Sequence, residues 1–196
     1  MSARFWYLRR GVAWLPLLGA CGGAAITAVL LARWPEDAFL LAPALLACCA
    51  AAAAFVYDED ALPVVAVTPR GASWRRVNRL GVTLVPLSLW AAVVSVRPGH
   101  VSLEQPGWSL LGGATVLLVA GSAALASRRL VPTPGALLAP VVTLAAVAPV
   151  TLSGMFSWGT LYPIGAFPDP VRTVWLGVAL SGAVVCAVAL RPGLRP

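Results

Sequence analysis

Long apolar runs alternate with short polar gaps along almost the whole of this chain. Six runs are evident, at about residues 11–32, 38–56, 80–96, 108–127, 134–152 and 173–190. Each is close to the roughly 20 residues that a helix needs to cross the hydrocarbon core of a bilayer. None contains an Asp, Glu, Arg, Lys or His residue. The pattern predicts an all-α, polytopic protein with six transmembrane helices in a single integral membrane domain, residues 1–196.

Composition supports this prediction and limits the chemistry. The chain is 60% hydrophobic and 11% charged, whereas a soluble domain carries about 25% charged residues. It has no GxxxxGK[ST] phosphate-binding loop, no CxxC pair, and a single histidine, His100. We therefore expect no catalytic residue, no metal site and no cofactor bound by the chain itself, and we do not expect an enzyme.

Arginine is distributed unevenly between the two sets of gaps. All 14 basic residues are arginine, which we interpret as a GC-rich coding bias, and only Arg33, Arg97 and Arg172 lie in the alternate gaps. Because positive residues favour the cytoplasmic side, both termini and the arginine-rich gaps should be cytoplasmic. The net charge of +7 is explained in the same way, so we expect contact with lipid and no nucleic acid partner.

Tryptophans near the ends of the runs fit the aromatic belts found at membrane interfaces. The residues in such positions are Trp34, Trp108 and Trp158. Trp90 and Trp175 fit a packing role equally well.

Residues 1–10 mix aromatic and basic side chains, which is typical of a helix lying in the plane of the interface. The predicted interfacial residues are Phe5, Trp6, Tyr7, Arg9 and Arg10. The alternative is simple flanking of the first span. A signal peptide ending near Cys21 is a further possibility, but the apolar run continues to Ala32, longer than a signal-peptide core, so we expect a true span.

One polar island, residues 57–79, holds seven of the 21 formally charged residues. Three acids open it, four arginines close it, and the apolar stretch between them predicts a short helix that ends at Pro69. Such a helix suits docking into a groove of a cytoplasmic protein, and an ordinary loop with positive-inside arginines is the alternative. The predicted docking residues are Asp58, Glu59, Asp60, Leu62, Val64, Val65, Pro69, Arg70, Arg75 and Arg76.

The outer segment, residues 153–171, is long for a connector and unusually apolar for a water-exposed loop. We expect it to re-enter the bilayer or to pack across the outer mouth of the bundle, because irregular backbone is tolerated at membrane depth where protein buries it. A longer, kinked fifth span is the alternative.

These features together resemble the permease subunits of type-2 ABC exporters. The shared features are six spans, inner termini, an interfacial N-terminal helix, a cytoplasmic coupling segment after span two and a re-entrant outer segment after span five. The island is also similar to a motif of small ABC permeases from GC-rich bacteria, carried here by Phe55, Asp58-Glu59-Asp60, residues 61–67, Thr68-Pro69, Arg70, Arg75 and Arg76. The chain is shorter than many such permeases and lacks a large outer domain.

The resemblance implies a location in a bacterial plasma membrane. It also implies a pair of membrane subunits, two identical copies or this chain with a second permease, assembled with two separate ATPase subunits that bind ATP and Mg²⁺. The island would carry the coupling contacts. The outer segment would shape an outer gate through Met155, Phe156, Trp158, Tyr162 and Phe167. The alternative is a non-transporting accessory or assembly subunit of a larger membrane complex. A membrane-embedded enzyme is least expected, because the spans lack polar clusters.

Overall fold

The computed structural model describes residues 11–58, 77–129, 131, 133–156 and 161–191. Within them lie α1 (Trp14–Arg33), α2 (Ala38–Phe55), α3 (Leu84–Val96), α4 (Gln105–Arg128), α5 (Pro134–Phe156) and α6 (Asp169–Leu190). Six helical segments are long and apolar enough to cross a membrane; the third runs from Val77 through a 3-10 turn at Gly81–Thr83 into α3. The prediction of an all-α, multi-pass membrane protein is confirmed.

Proline marks the start of three of these helices. Pro106, Pro134 and Pro170 lie in the first turns of α4, α5 and α6. A first-turn N–H has no acceptor within its own helix, so proline loses nothing there, and its fixed φ suits a helix start. This explains why α4 and α6 begin a few residues before the purely apolar runs.

Helices α2 and α4 form the centre of the bundle. Helix α2 packs on α1, α3, α4 and α5, while α6 packs most extensively on α4. The outer faces of α1, α5 and α6 expose large apolar side chains such as Leu15, Leu144 and Leu180. In a bilayer these faces contact lipid tails, which are as apolar as the side chains themselves.

Small residues allow the central helices to approach one another closely. A seam between α2 and α4 is built from Ala50, Ala53, Ala54, Val116, Val119 and Ala120. Between α4 and α6, a Cβ added at Gly182 would lie 2.9 Å from the backbone nitrogen of Leu118. Lipid provides no hydrophobic drive for association, so this close packing contributes much of the attraction between helices.

Helix α5 is peripheral and contains two internal prolines. Pro140 and Pro149 each lack the N–H that would bond the carbonyl four residues earlier. The side chains of α5 buried in the bundle include those of Pro134 and Ala146, whereas Leu137, Leu144 and Met155 are exposed. Helix α5 is therefore held mainly along its contact with α2 and at its first turn.

Candidate functional site at the two ends of the bundle

The arginine-rich end is the end of the bundle that carries Asp58 and Arg79, and the arginine pattern predicts it to be cytoplasmic. Asp58 follows α2 and is only 4% exposed. Its Oδ1 accepts a hydrogen bond from the backbone N–H of Gly135 at 2.5 Å. Gly135 is the second residue of α5, where an N–H has no partner in its own helix. Asp58 therefore caps α5 from a different helix, and its negative charge suits the positive end of the α5 dipole.

Arg79 lies beside Asp58 and is 3% exposed. Its Nη1 donates to the carbonyl oxygen of Asp58 at 3.2 Å, and its Nη2 donates to the carbonyl oxygen of Gly11. A buried charge is costly unless polar groups satisfy it. The guanidinium thus ties the chain entering α1 to the chain leaving α2, and the two ends of the polar island meet at one point.

An apolar layer surrounds these polar contacts. It consists of Val12, Leu17, Val56, Tyr57, Val82, Ala123, Ala124 and Ala189. Within it, position 135 has no room for a side chain, because an added Cβ would lie 2.6 Å from Phe55 Cδ1 and 2.9 Å from Asp58 Oδ1. Sequence reasoning missed Gly11 and Gly135, which contribute backbone groups; the Pro134-Gly135 start of α5 is the one signal that marked the place.

Most of the predicted docking residues lie outside the described residues. Asp58 is the exception, and its carboxylate is bonded inside the bundle, so in this conformation it is not presented to a soluble partner. The others are Glu59, Asp60, Leu62, Val64, Val65, Pro69, Arg70, Arg75 and Arg76. The predicted interfacial residues Phe5, Trp6, Tyr7, Arg9 and Arg10 also lie outside. Both roles stay predictions.

The opposite end of the bundle is organised around Glu104, which directly precedes α4. Its Oε1 accepts from Arg172 Nη2 of α6 at 2.8 Å, and its Oε2 accepts from the backbone N–H of Phe167. The ion pair is partly open to solvent, with 44% of the Arg172 side chain and 25% of the Glu104 side chain exposed. One carboxylate thus joins the start of α4, the start of α6 and the outer segment.

Two tryptophan side chains of the bundle donate hydrogen bonds to the backbone of the outer segment. Trp108 Nε1 donates to the carbonyl oxygen of Pro163 at 3.2 Å, and Trp175 Nε1 donates to that of Leu161 at 3.0 Å. Trp108 is fully buried, and its ring centroid lies 5.9 Å from that of Trp90 and 6.1 Å from that of Phe167. The interfacial position predicted for Trp108 is wrong, because this indole finds its partner in the protein.

The predicted gate residues have different surroundings. Phe167 is buried, and so is Tyr162, whose ring centroid lies 5.9 Å from that of Trp175. Burial raises the pKa of Tyr162 to about 12. Met155 is 75% exposed; Phe156 ends α5, but its side chain, like Trp158, is outside the described part. The gating role stays a prediction.

Two glycines make the packing at this end possible. A Cβ at Gly107 would overlap the Phe167 ring, and one at Gly112 would overlap the Trp90 indole. Trp90 Nε1 donates to the carbonyl oxygen of Trp108 at 3.0 Å, so the close approach at Gly112 also serves a hydrogen bond. Leu103 and Gly165 form a single parallel β-bridge beside these contacts.

The middle of the bundle has a different character. Across the described parts of the six spans, ionisable carboxylates and arginines occur towards the ends, and the interior is filled by alanine, valine, leucine and tryptophan. In the same residues, no group of three His, Cys, Asp or Glu side chains is placed to hold a metal ion. Cys21, Cys48, Cys49 and Cys186 are free thiols.

Comparison of the chain with protein-family models, curated proteins and solved structures found no match. The resemblance to exporter permeases therefore rests on the residues of this chain alone, and the function is argued from them.

Proposed function

We propose that this chain is the transmembrane permease subunit of an ATP-driven exporter in a bacterial plasma membrane. In this proposal residues 57–79 dock separate ATPase subunits. The observation that supports it most is the junction at the arginine-rich end. Asp58 and Arg79, at the two ends of the island, bond one another and reach Gly135 and Gly11. A force applied to the island would act directly on the start of α5 and on the chain entering α1.

The burial of this junction supports a mechanical role. A loop joined to its helices by exposed, flexible residues transmits little force. At this junction, separating Arg79 from its two carbonyl acceptors would leave a buried charge without those partners, and that is strongly unfavourable. The junction therefore resists stretching, and displacement of the island is passed on to the helices.

The energy source in this proposal is ATP bound with Mg²⁺ by the partner subunits. Ion-driven transporters use ionisable residues within their spans as relays, and the six apolar runs of this chain have none. The chain also has no phosphate-binding loop of its own. A second copy of the chain, or a second permease, would complete the translocation path, because alanine and valine fill the seam between α2 and α4.

Copurification from the native membrane tests the proposal. We expect a tagged chain to bring down an ATPase in stoichiometric amount, and Leu62→Asp, Val64→Asp and Val65→Asp to abolish this association. The matched control is His100→Asp, an exposed residue at the opposite end, which should leave the association intact. A stable native complex with no ATPase chain would overturn the proposal.

A second candidate is an accessory or assembly subunit of a larger membrane complex. The packed apolar seam between α2 and α4 is what a scaffold needs, whereas a permease needs a second chain beside it to form a path. For such a subunit, the copurified partners would be other membrane proteins, and the three aspartate substitutions would leave the complex unchanged.

A further inference from the structure

The end of the outer segment, residues 161–168, is attached to the bundle by the buried rings of Tyr162 and Phe167, by the bridge between Gly165 and Leu103 and by hydrogen bonds. Two indole N–H groups, from Trp108 and Trp175, bond its backbone carbonyls. The Glu104 carboxylate accepts its Phe167 N–H and bonds Arg172 at the same time. Glu104 is thus the residue whose side chain joins this segment to α6 through a charged group.

Glu104 stands directly before α4, but its side chain does not cap that helix. It occupies the N-cap position of α4 with an extended backbone (φ −68°, ψ 105°), yet its side chain makes no capping hydrogen bond. Helices are capped from this position mainly by Asp, Asn, Ser and Thr, whose side chains are shorter than that of Glu. Instead, the Glu104 carboxylate accepts hydrogen bonds from Phe167 of the outer segment and from Arg172.

Helices α4 and α6 stay together without this carboxylate. Near their middle, a Cβ added at Gly121 would lie 2.8 Å from Cys186 Sγ, and one at Gly182 would lie 2.9 Å from Leu118 N. At the arginine-rich end, Arg128 Nη1 donates to the carbonyl oxygen of Val188. The bonds of Glu104 therefore attach residues 161–168 to the bundle and are not needed to keep α4 against α6.

We propose that residues 161–168 form a lid over the outer ends of α4 and α6, and that Glu104 is its latch. The lid is closed when the carboxylate bonds both Phe167 N–H and Arg172. Loss of these bonds frees the Phe167 end, and full opening then separates the Tyr162 and Phe167 rings and the two indole bonds from the bundle, while α4 and α6 remain packed. The ion pair is partly open to solvent and contributes little net stability, so the bond from Phe167 N–H to the carboxylate carries most of the latch. The role of the lid as an export gate rests on the proposed function, whereas its opening motion does not.

Hydrogen exchange of the purified chain in lipid nanodiscs, read by mass spectrometry, tests the latch. In Glu104→Ala, which removes both carboxylate oxygens, we expect exchange across residues 161–168 to rise at least about tenfold, the scale expected from losing a charge-assisted hydrogen bond. Arg172→Gln should raise it less, because Phe167 keeps its acceptor. Peptides from the middle of α4 and α6 should exchange as in the unaltered chain.

Asp169→Asn is the matched control, since Asp169 is an exposed acid near Arg172, and it should leave exchange unchanged. Unaltered exchange of residues 161–168 in Glu104→Ala would refute the latch. An equal rise throughout α4 and α6, in either the Glu104 or the Arg172 variant, would also refute it, because Glu104 would then be supporting the whole bundle. No ATPase is present in this experiment, so its outcome is independent of the copurification result.

Discussion

The carboxylate of Asp58 caps α5 through a 2.5 Å hydrogen bond from the N–H of Gly135, which lies 77 residues later in the chain. An acid that follows α2 thereby fixes the start of α5. This contact fixes a peripheral helix at its first turn, and its loss should be measurable.

Replacing Asp58 should destabilise the protein. In Asp58→Ala the Gly135 N–H loses its acceptor in a buried place, and we expect a loss of about 1–3 kcal/mol in the free energy of unfolding, measured by denaturant titration in detergent. Asp37→Ala is the control, because Asp37 stands at the N-cap position of α2 without a side-chain capping bond. Equal stability of the two variants would contradict the capping role.

Replacing Arg79 should lower the free energy of unfolding more than replacing Asp58 does. Arg79→Gln removes the donors to two carbonyl oxygens, those of Asp58 and Gly11, and we expect a cost of about 3 kcal/mol in the same titration. Arg79→Lys should rescue only part of this, since an ammonium group lacks the forked geometry of a guanidinium. The exposed Arg129→Gln provides the comparison; an effect as small at position 79 as at 129 would argue against the junction.

Two adjacent glycines of α4 should respond with opposite signs. Ala at position 112 would overlap the Trp90 indole, so Gly112→Ala should lower the thermal midpoint. Position 113 has nothing within 4 Å of an added Cβ, so Gly113→Ala should raise stability by up to about 1 kcal/mol through helix propensity. Thermal unfolding monitored by circular dichroism distinguishes the two variants, and a shift of the same sign in both would be inconsistent with this packing.

Tyr162 should titrate late. Its folded-state pKa is about 12, raised by burial from 10.0. The Tyr162 phenol ionises at a lower pH in the unfolded chain than in the folded one. The contribution of the protonated phenol to the free energy of unfolding is therefore complete below about pH 10 and is lost as the pH rises towards 12. The ultraviolet difference spectrum between the unaltered chain and Tyr162→Phe measures the ionisation. A midpoint near pH 10 in a chain still folded by circular dichroism would show that the ring is exposed.

The six helices were predictable because spanning a bilayer constrains composition over each run of about 20 residues, and the sequence displays that constraint directly. The junction was not predictable in the same way. Asp58 and Arg79 are charged and flank a polar segment, which indicates a surface, yet their partners are backbone groups of Gly11 and Gly135. Backbone groups carry no sequence signal. Trp108 was misplaced for the same reason, since its acceptor is the carbonyl oxygen of Pro163.

The close contact of α4 with α6 has a consequence for biosynthesis. Helix α5 lies between them in the chain, so α4 leaves the ribosome well before the helix that packs against its Gly121 surface. Until α6 is inserted, lipid must occupy that surface and later be displaced sideways within the membrane. A chain truncated before Asp169 should therefore insert five helices yet be degraded quickly. The proteases that remove incompletely packed membrane proteins would recognise the surface of α4 that α6 normally covers.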